Sequence, residues 1–168
     1  HWDTVFASKQ LGISGVLVSA AATSRMYLEV RDTLFESADT GKTWQRFAHT
    51  GVLGYSIDLL AADGVTADRL YAYFQGRIAV STDRGRTWSD RTMKNVMTVT
   101  GVLQAQSNSN VLFAWGTNLH RSTDQGMSWT TIDTMHTARL SATLVGGQLY
   151  VGCYQSGIFR SSAVGGAW

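Results

Sequence analysis

Acidic side chains are the residues of this sequence with the clearest capacity for chemistry. The 168 residues include 12 Asp and Glu, and only Glu29 and Glu36 are glutamates. Asp39, Asp83 and Asp124 recur in the same surroundings, each two residues after a Ser and two before a Gly. An Asp in such a stretch accepts backbone N–H bonds inside a turn, and the Gly supplies a positive φ angle there. The pattern therefore predicts that these three acids stabilise turns.

The full motif around each of these acids is Ser-x-Asp-x-Gly-x-x-Trp, and it occurs three times without gaps. Its fixed positions are Ser37, Asp39, Gly41 and Trp44, then Ser81, Asp83, Gly85 and Trp88, and then Ser122, Asp124, Gly126 and Trp129. A fourth copy at 161–168 keeps its Ser, Gly and Trp but has lost the Asp, which predicts a weaker or unpaired final hairpin. Successive Ser residues are 44, 41 and 39 positions apart, a period typical of repeat folds.

Short strands are the elements that must position these turns. In the first repeat, strand patterns at 26–30 and 34–36 precede the motif, and an apolar innermost strand lies at 15–18. The second repeat has its innermost strand at 55–59, and in each repeat the Trp of the motif opens a fourth strand. Four short strands in about 41 residues form one blade of a β-propeller.

The whole chain is therefore predicted to be all-β, a β-propeller of four-stranded antiparallel blades with about four blades. No segment has a helical period of 3.6 residues over three turns. A single propeller domain, or a propeller fragment, is expected over 1–168. Its approximate repeat units are 2–44, 44–88, 88–129 and 129–168.

Composition and charge exclude several classes of protein. Hydrophobic residues make up 44% of the chain and charged residues 15%, which excludes a charge-rich disordered chain. The net charge is +2 and no basic run is present, so nucleic-acid binding is not expected. No apolar stretch reaches the ~18 residues of a membrane span, and no signal peptide is visible. Cys153 is the one cysteine and cannot form an intramolecular disulfide.

The repeated motif closely resembles the Asp-box, or BNR repeat, of bacterial and viral sialidases. The same box is found in xyloglucanase-type glycoside hydrolases, in sortilin-type receptors and in photosystem II assembly propellers. The resemblance extends over essentially the whole chain and implies a β-propeller whose boxes are structural and lie opposite the ligand site. It also implies a secreted or otherwise extracytoplasmic location. The strand order agrees, because a box between strands three and four leaves the four-to-one and two-to-three loops on the other face.

The loops on that other face supply the candidate ligand residues. These loops are 7–14, 48–56, 92–100 and 133–139, with short turns near 31–33, 75–76, 116–118 and 155–157. The candidates on or beside them are Lys9, Arg31, His49, Tyr55, Asp58, Lys94, His136 and Arg139. They are interpreted either as a polar pocket for a glycan or peptide, or as solvated loop residues. Asp58, on a presumed innermost strand, is interpreted either as part of that pocket or as a structural carboxylate facing the channel.

Catalysis by this chain alone is not expected. The resemblance to sialidases implies an arginine triad, a Tyr–Glu pair and a Phe/Tyr-Arg-x-Pro motif, but the chain has no proline and two glutamates. Other glycosidases need two carboxylates ~5–9.5 Å apart across the sugar. Asp58 with one other acid is a conceivable xyloglucanase-type pair, although no motif supports it.

No cofactor or metal is predicted either. The four His are scattered, and no Cys or His lies near Cys153 in the sequence, so no metal-ligand spacing is present. The boxes lack the alternating oxygen ligands of an EF-hand calcium loop. No Gly-rich phosphate loop is present.

The ends of the sequence predict how a ring would close. Trp2 and Trp168 are in register with the motif Trp residues, and a strand at 2–6 would complete the last blade of a ring. Three arrangements remain open: a self-closed four-bladed ring, two chains forming eight blades, or a piece of a larger propeller. A partial propeller that self-associates or has neighbouring blades is favoured, since four such blades closing alone need steep curvature.

The predicted function is a non-catalytic binding or scaffold protein that recognises a glycan or a protein partner through its loop face. The alternative is part of a glycoside hydrolase, sialidase-like or xyloglucanase-like, whose active site is incomplete in this chain. A third possibility is a structural assembly module like the photosystem propellers.

Overall fold

All regular structure in the described part of the chain is β-strand. A computed structural model of the chain describes residues 3–7, 12–30, 33–47, 58–74, 77–91, 99–105, 108–134, 139–154 and 156–161. The strands are β1 (Ile13–Val18), β2 (Met26–Val30), β3 (Thr33–Ser37), β4 (Gln45–Phe47), β5 (Asp58–Ala62), β6 (Leu70–Phe74), β7 (Arg77–Ser81), β8 (Ser89–Asp90), β9 (Val99–Gln104), β10 (Leu112–Gly116), β11 (Leu119–Ser122), β12 (Thr130–Asp133), β13 (Arg139–Val145), β14 (Gln148–Cys153) and β15 (Gly157–Arg160). These ranges contain no helix that could cross a membrane.

The strands form four antiparallel sheets in chain order, which confirms the predicted fold class. Blade one is β1–β4, blade two β5–β8 and blade three β9–β12, each a meander from innermost to outermost strand. Blade four has β13–β15 among the described residues. One detail of the prediction was wrong: the fourth strand of a blade begins one residue after the motif Trp, at Gln45 in blade one. The Ser of each motif is the last residue of the third strand.

Stacking between blades explains why the middle strands are apolar. A blade inside the array is covered on both sheet faces, so its strands are continuous apolar runs instead of alternating patterns. Strand β10 is buried at all five positions, and β7 is buried at every position after Arg77.

The hydrophobic core consists of three clusters, one at each contact between successive blades. Tyr27 and Leu34 of blade one pack with residues of blade two, including Leu70 and Trp88. The second cluster joins blades two and three, and the third joins blades three and four, where Cys153 is 8% exposed. Since each cluster belongs to two neighbouring sheets, the blades stabilise one another.

The segment 3–7 lies against blade one and forms no strand. The sequence predicts a strand at 2–6 that completes the last blade. Instead, the ring of Phe6 contacts Phe35 and Trp44 of blade one, with ring centroids 5.2 Å and 5.6 Å apart. In this single chain the segment therefore covers the outer part of blade one.

Candidate functional site

The three motif turns share one backbone conformation. Two successive residues have positive φ angles: Thr40 with 59° and Gly41 with 86° in the first turn. The equivalent pairs in the other turns have 65° and 88°, and 63° and 84°. Glycine adopts this left-handed conformation without the steric cost that a Cβ atom adds. This cost is the physical reason for the Gly in each motif.

The Ser and Asp side chains of each motif close the turn with hydrogen bonds. In the second turn, the Ser81 hydroxyl donates to Asp83 Oδ1 at 2.7 Å and accepts the Gly85 N–H, also at 2.7 Å. Asp83 Oδ1 accepts the Thr87 N–H at 2.8 Å, and Asp83 Oδ2 accepts the Thr87 hydroxyl at 2.6 Å. The Gly85 and Thr87 N–H groups and the Ser81 and Thr87 hydroxyls thus all donate to acceptors within the motif itself.

The other two turns repeat this geometry. Asp39 Oδ1 accepts the Thr43 N–H at 2.8 Å, and Asp124 Oδ1 accepts the Ser128 N–H at 2.8 Å. Each Ser hydroxyl again accepts the N–H of the motif Gly, at 2.8 Å in both turns. The three box carboxylates therefore serve as turn acceptors.

These hydrogen bonds favour the ionised form of the box acids. Bonds from the Thr43 hydroxyl and N–H lower the pKa of Asp39 from 3.8 to about 2. The same donors on Ser128 lower the pKa of Asp124 to about 2. For Asp83, burial raises the pKa, but the bonds from Thr87 outweigh it and the pKa lies below 3.8.

We expect the box acids to make stability depend on acid pH. Because their folded-state pKa values lie below the unfolded value, their contribution is fully present above pH ~4 and is lost as the pH falls towards ~2. Urea unfolding at several pH values between 2 and 6 measures this loss. The double variant Asp39→Asn/Asp124→Asn should show a flatter pH dependence than the wild type. Equal slopes for the double variant and the wild type would contradict the prediction.

In blades one to three, the box turn is also hydrogen-bonded to the turn between strands one and two of its blade. The Thr40 N–H donates to the Ser24 carbonyl at 2.9 Å, and the Arg84 N–H donates to the Asp68 carbonyl at 2.9 Å. Blade three has the same bond from Gln125. Backbone hydrogen bonds therefore link the turns on one face of the array in blades one to three. In these blades the first strand begins, and the fourth strand ends, at the opposite face.

The motif tryptophans connect neighbouring segments through their indole groups. Trp44 Nε1 donates to the Gly41 and Val5 carbonyls, both at 3.0 Å. Trp129 Nε1 donates to the Gly126 carbonyl at 3.0 Å and to the Arg91 carbonyl of blade two at 3.2 Å. Trp88 differs: its ring is 3% exposed, and its Nε1 makes no hydrogen bond within the described part of the chain.

Asp63 is an anchor between blades two and three that the sequence analysis missed. It is fully buried in the turn between β5 and β6 and accepts the Val65 and Thr66 N–H groups at 2.8 Å and 2.9 Å. The Tyr71 hydroxyl donates to it at 3.0 Å, the Ser109 hydroxyl of blade three at 2.7 Å, and the Arg69 guanidinium at 3.4 Å.

The electrostatics of Asp63 follow from these bonds. Burial raises the pKa of Asp63, but the bonds from Thr66, Val65, Ser109 and Tyr71 outweigh it and hold the pKa below 3.8. Burial and the nearby carboxylate in turn raise the pKa of Tyr71. Asp63 is thus an ionised structural acid.

An ion-pair network joins blades one and two on the same face. Arg25 Nε lies 3.1 Å from Glu36 Oε1, and Arg25 Nη1 lies 2.6 Å from Asp68 Oδ1. Arg84 lies 3.6 Å from Glu36 and 3.7 Å from Asp68. The Glu36 side chain is 5% exposed, so this carboxylate is a structural element of the interface. No group of three or more metal-ligating side chains occurs in the residues that the structure describes.

The predicted ligand-face residues are only partly placed. Lys9, Arg31, His49, Tyr55, Lys94 and His136 lie outside the described residues. Asp58 is the first residue of β5 and pairs with Tyr73, and Arg139 is the first residue of β13 and pairs with Cys153. Both therefore lie at the start of an innermost strand, where the four-to-one connection enters the blade. Their assignment to a ligand site stays a prediction.

Comparisons with known proteins agree with this architecture. Residues 79–90 match the BNR/Asp-box repeat. A search of curated proteins found no match to the sequence. A GH74 enzyme from Niastella koreensis has a similar structure, with a TM-score of 0.71 and 21% identity, over 93% of this chain and 24% of that one. YCF48 from Cyanidioschyzon merolae has a TM-score of 0.67 and 15% identity, over 89% of this chain and 52% of that one.

A structure of YCF48 bound to a D1 peptide is also similar, with a TM-score of 0.62 and 14% identity, over 85% of this chain and 47% of that one. The chain thus spans about a quarter of the GH74 enzyme and about half of YCF48. At these identities the likeness concerns the fold. Together with the box geometry, it shows that the chain is an array of β-propeller blades whose turns are Asp-box repeats.

Proposed function

We propose that this chain is a non-catalytic binding module that docks a segment of a protein partner on the face opposite the box turns. The observation that carries the proposal is the difference between the two faces. One face is closed by hydrogen bonds between the box turn and the one-to-two turn in each of blades one to three. Strands β4, β8 and β12 end on the other face and β5, β9 and β13 begin there, which leaves three connections in the sequence between these strands. Those connections carry Tyr55, Lys94 and His136, which suit a polar and aromatic contact surface.

The box acids, Asp63 and Glu36 are engaged in structural interactions, which supports binding over hydrolysis. A glycosidase needs two carboxylates facing each other across the sugar. The box acids are held by their own turns, Asp63 by five hydrogen-bond donors, and Glu36 by Arg25. The similarity to YCF48, which has been observed with a bound D1 peptide, supports a peptide as the occupant.

A second candidate is part of a glycoside hydrolase, and the fold similarity to a GH74 enzyme favours it. In that role Asp58 would supply one carboxylate at the start of β5. A glycan bound without cleavage is the remaining ligand class.

We also propose an extracytoplasmic location, which rests only on where other proteins that carry Asp boxes are found.

Selection from a phage-displayed random peptide library tests the proposal. We expect selected peptides to bind the wild-type chain, and Lys94→Ala/His136→Ala to weaken that binding at least about fivefold. Lys42→Ala, an exposed position at the tip of the first box, is the matched control on the opposite face and should leave binding unchanged. Peptides that respond to Lys42→Ala and not to the double variant would contradict the proposed face. Release of reducing sugar from xyloglucan, abolished by Asp58→Asn, would instead support the hydrolase.

A further inference from the structure

The second strand of a blade changes its chemistry near the loop face, the face opposite the box turns. Deeper in the blade, the residue paired with the one before the motif Ser is aromatic and fully buried in each of blades one to three: Tyr27, Tyr71 and Phe113. Two residues closer to the loop face, the equivalent residues are Glu29, Tyr73 and Trp115. Positions that only stack blades are expected to keep their residue type, since every inner blade meets the same kind of neighbour. A register at which the types diverge is therefore a candidate for function.

Blades one and three fill this register from within the blade. Gly15 of the first strand pairs with Glu29, and Gly101 pairs with Trp115. A Cβ atom on Gly101 would clash with the Trp115 ring, and one on Gly15 would lie 3.8 Å from Glu29 Oε2. In both blades the side chain of the second strand thus lies over a glycine, and Glu29 and Trp115 are only 2% and 8% exposed.

Blade two differs at both positions of the register. Its first strand has Asp58 where the other two blades have glycine, and Asp58 pairs with Tyr73. Tyr73 is half-buried and packs at the edge of the cluster between blades two and three. This register of blade two is therefore more open than its equivalents in blades one and three.

A displaced β-bulge brings Asp58 to this position. In blades one, three and four, the first strand has its register shift at the loop-face end, as between Ile13 and Gly15. In blade two the shift lies deeper, between Leu59 and Ala61. With the bulge at the usual place, Leu59 would pair with Tyr73 instead of Asp58. Bulges next to binding sites commonly serve to re-aim a side chain in this way.

The sign of its charge also sets Asp58 apart. It is the one acid among the eight candidate residues of the loop face, which include Lys9, Arg31, Lys94 and Arg139. Directly paired residues of antiparallel strands have Cβ atoms about 4.5–5.5 Å apart, so one ligand group can reach both. A carboxylate paired with a half-exposed aromatic residue suits a guanidinium or ammonium group, which is attracted by the charge and by the face of the ring.

We propose that Asp58 and Tyr73 receive a basic side chain, arginine or lysine, of the segment that docks on the loop face. This inference rests on the proposed function and adds the chemistry of one residue of the partner. Because the other charged candidates on this face are basic, the single acid fixes the register in which a segment with both signs of charge binds.

A double-mutant cycle between peptide and chain tests the pairing. We expect peptides selected on the wild-type chain to share one basic position. Replacing an arginine there by citrulline keeps the shape and removes the charge, and it should weaken binding to the wild type at least about tenfold. The same replacement should change the Kd for Asp58→Asn by less than about twofold, because the carboxylate that pairs with the charge is gone.

Asp90→Asn is the matched control. Asp90 also belongs to blade two but lies on its outermost strand, where Arg77 Nη1 is 3.2 Å from its carboxylate. This variant should keep the full response to citrulline. Circular dichroism checks that each variant is folded. If Asp58→Asn does not fold, Asp58→Ser takes its place, since blade four has Ser141 at this register.

Two further variants test the contribution of the ring. Tyr73→Leu removes the aromatic face and should weaken the binding of the arginine peptide at least about threefold. Tyr73→Phe keeps that face, so its effect should be clearly smaller. Equal losses for the two variants would overturn the role of the ring.

Failure of this inference differs from failure of the proposed function. Peptides that respond to Lys94→Ala/His136→Ala but have no basic residue coupled to Asp58 would overturn the inference and leave the docking face standing. An equal effect of citrulline on the wild type and on Asp58→Asn would overturn it too. If no selected peptide binds the loop face, the proposed function fails, and this inference fails with it.

Discussion

Replacement of Asp63 by Ala is expected to lower the free energy of unfolding by about 4 kcal/mol. The substitution removes the acceptor of the Val65 and Thr66 N–H groups and of two hydroxyls, those of Tyr71 and Ser109. It also removes the carboxylate that pairs with the Arg69 guanidinium at 3.4 Å. The site is fully buried, so those donors lose their partner where water cannot readily replace it. Since Ser109 belongs to blade three, the loss also loosens the contact between blades two and three.

Thermal unfolding measures the effect, and we expect a fall in Tm of roughly 8–16 °C for a chain of this size. Asp68→Ala is the matched control, because the Asp68 side chain is 53% exposed and pairs with Arg25 on the surface. Its cost should be about 1 kcal/mol or less. Ser109→Ala removes only the hydrogen bond that Asp63 receives from blade three. Its cost in unfolding free energy should fall between those of Asp63→Ala and Asp68→Ala. Equal effects of Asp63→Ala and Asp68→Ala would show that Asp63 is not an anchor.

Gly85→Ala is expected to cost about 3 kcal/mol of unfolding free energy. Gly85 has a φ of 88°, where a Cβ atom is strained, and that atom would clash with Leu34 Cδ2. Leu34 is 1% exposed in the cluster between blades one and two, so it has little room to move. The substitution therefore combines backbone strain in one blade with overpacking against its neighbour.

Gly146→Ala separates these two causes. Gly146 also has a positive φ, 57°, but an added Cβ would meet no atom within 4 Å. Urea unfolding of both variants should give a cost of about 1 kcal/mol for Gly146→Ala and a clearly larger one for Gly85→Ala. Combining Gly85→Ala with Leu34→Ala should recover part of the packing cost, so the double variant should lose less stability than the sum of the two single variants. A loss equal to that sum would argue against the clash.

The motif turns were predictable because their interactions are local. Ser81, Asp83 and Thr87 are within six positions of one another, so the spacing alone limits which donors the Asp can reach. The period of the motif then gives the number of blades, since each blade repeats the same turn. The same locality explains why the strand boundaries were right to within about one residue at the third and fourth strands.

The anchors between blades were not predictable for the opposite reason. Asp63 receives a hydroxyl from Ser109, 46 residues away, and Arg25 pairs with Asp68, 43 residues away. No motif marks these residues, and in the sequence Asp63 is one of several acids outside the boxes. Its two local bonds, to Val65 and Thr66, are the signal that could have been found, because an Asp two and three residues ahead of its donors forms an Asx turn.

The sequence by itself determined the all-β class, the repeat and the turn chemistry, because these depend on residue types and short spacings. Only the tertiary structure decided which acids join neighbouring blades, that segment 3–7 rests on blade one, and that Ile158 and Val16 are exposed. Burial of an apolar side chain depends on whether another blade covers it. The pattern of Ile158 in its strand is the same as that of Leu34, Ile78 and Leu119, and only the stacking of blades makes them different.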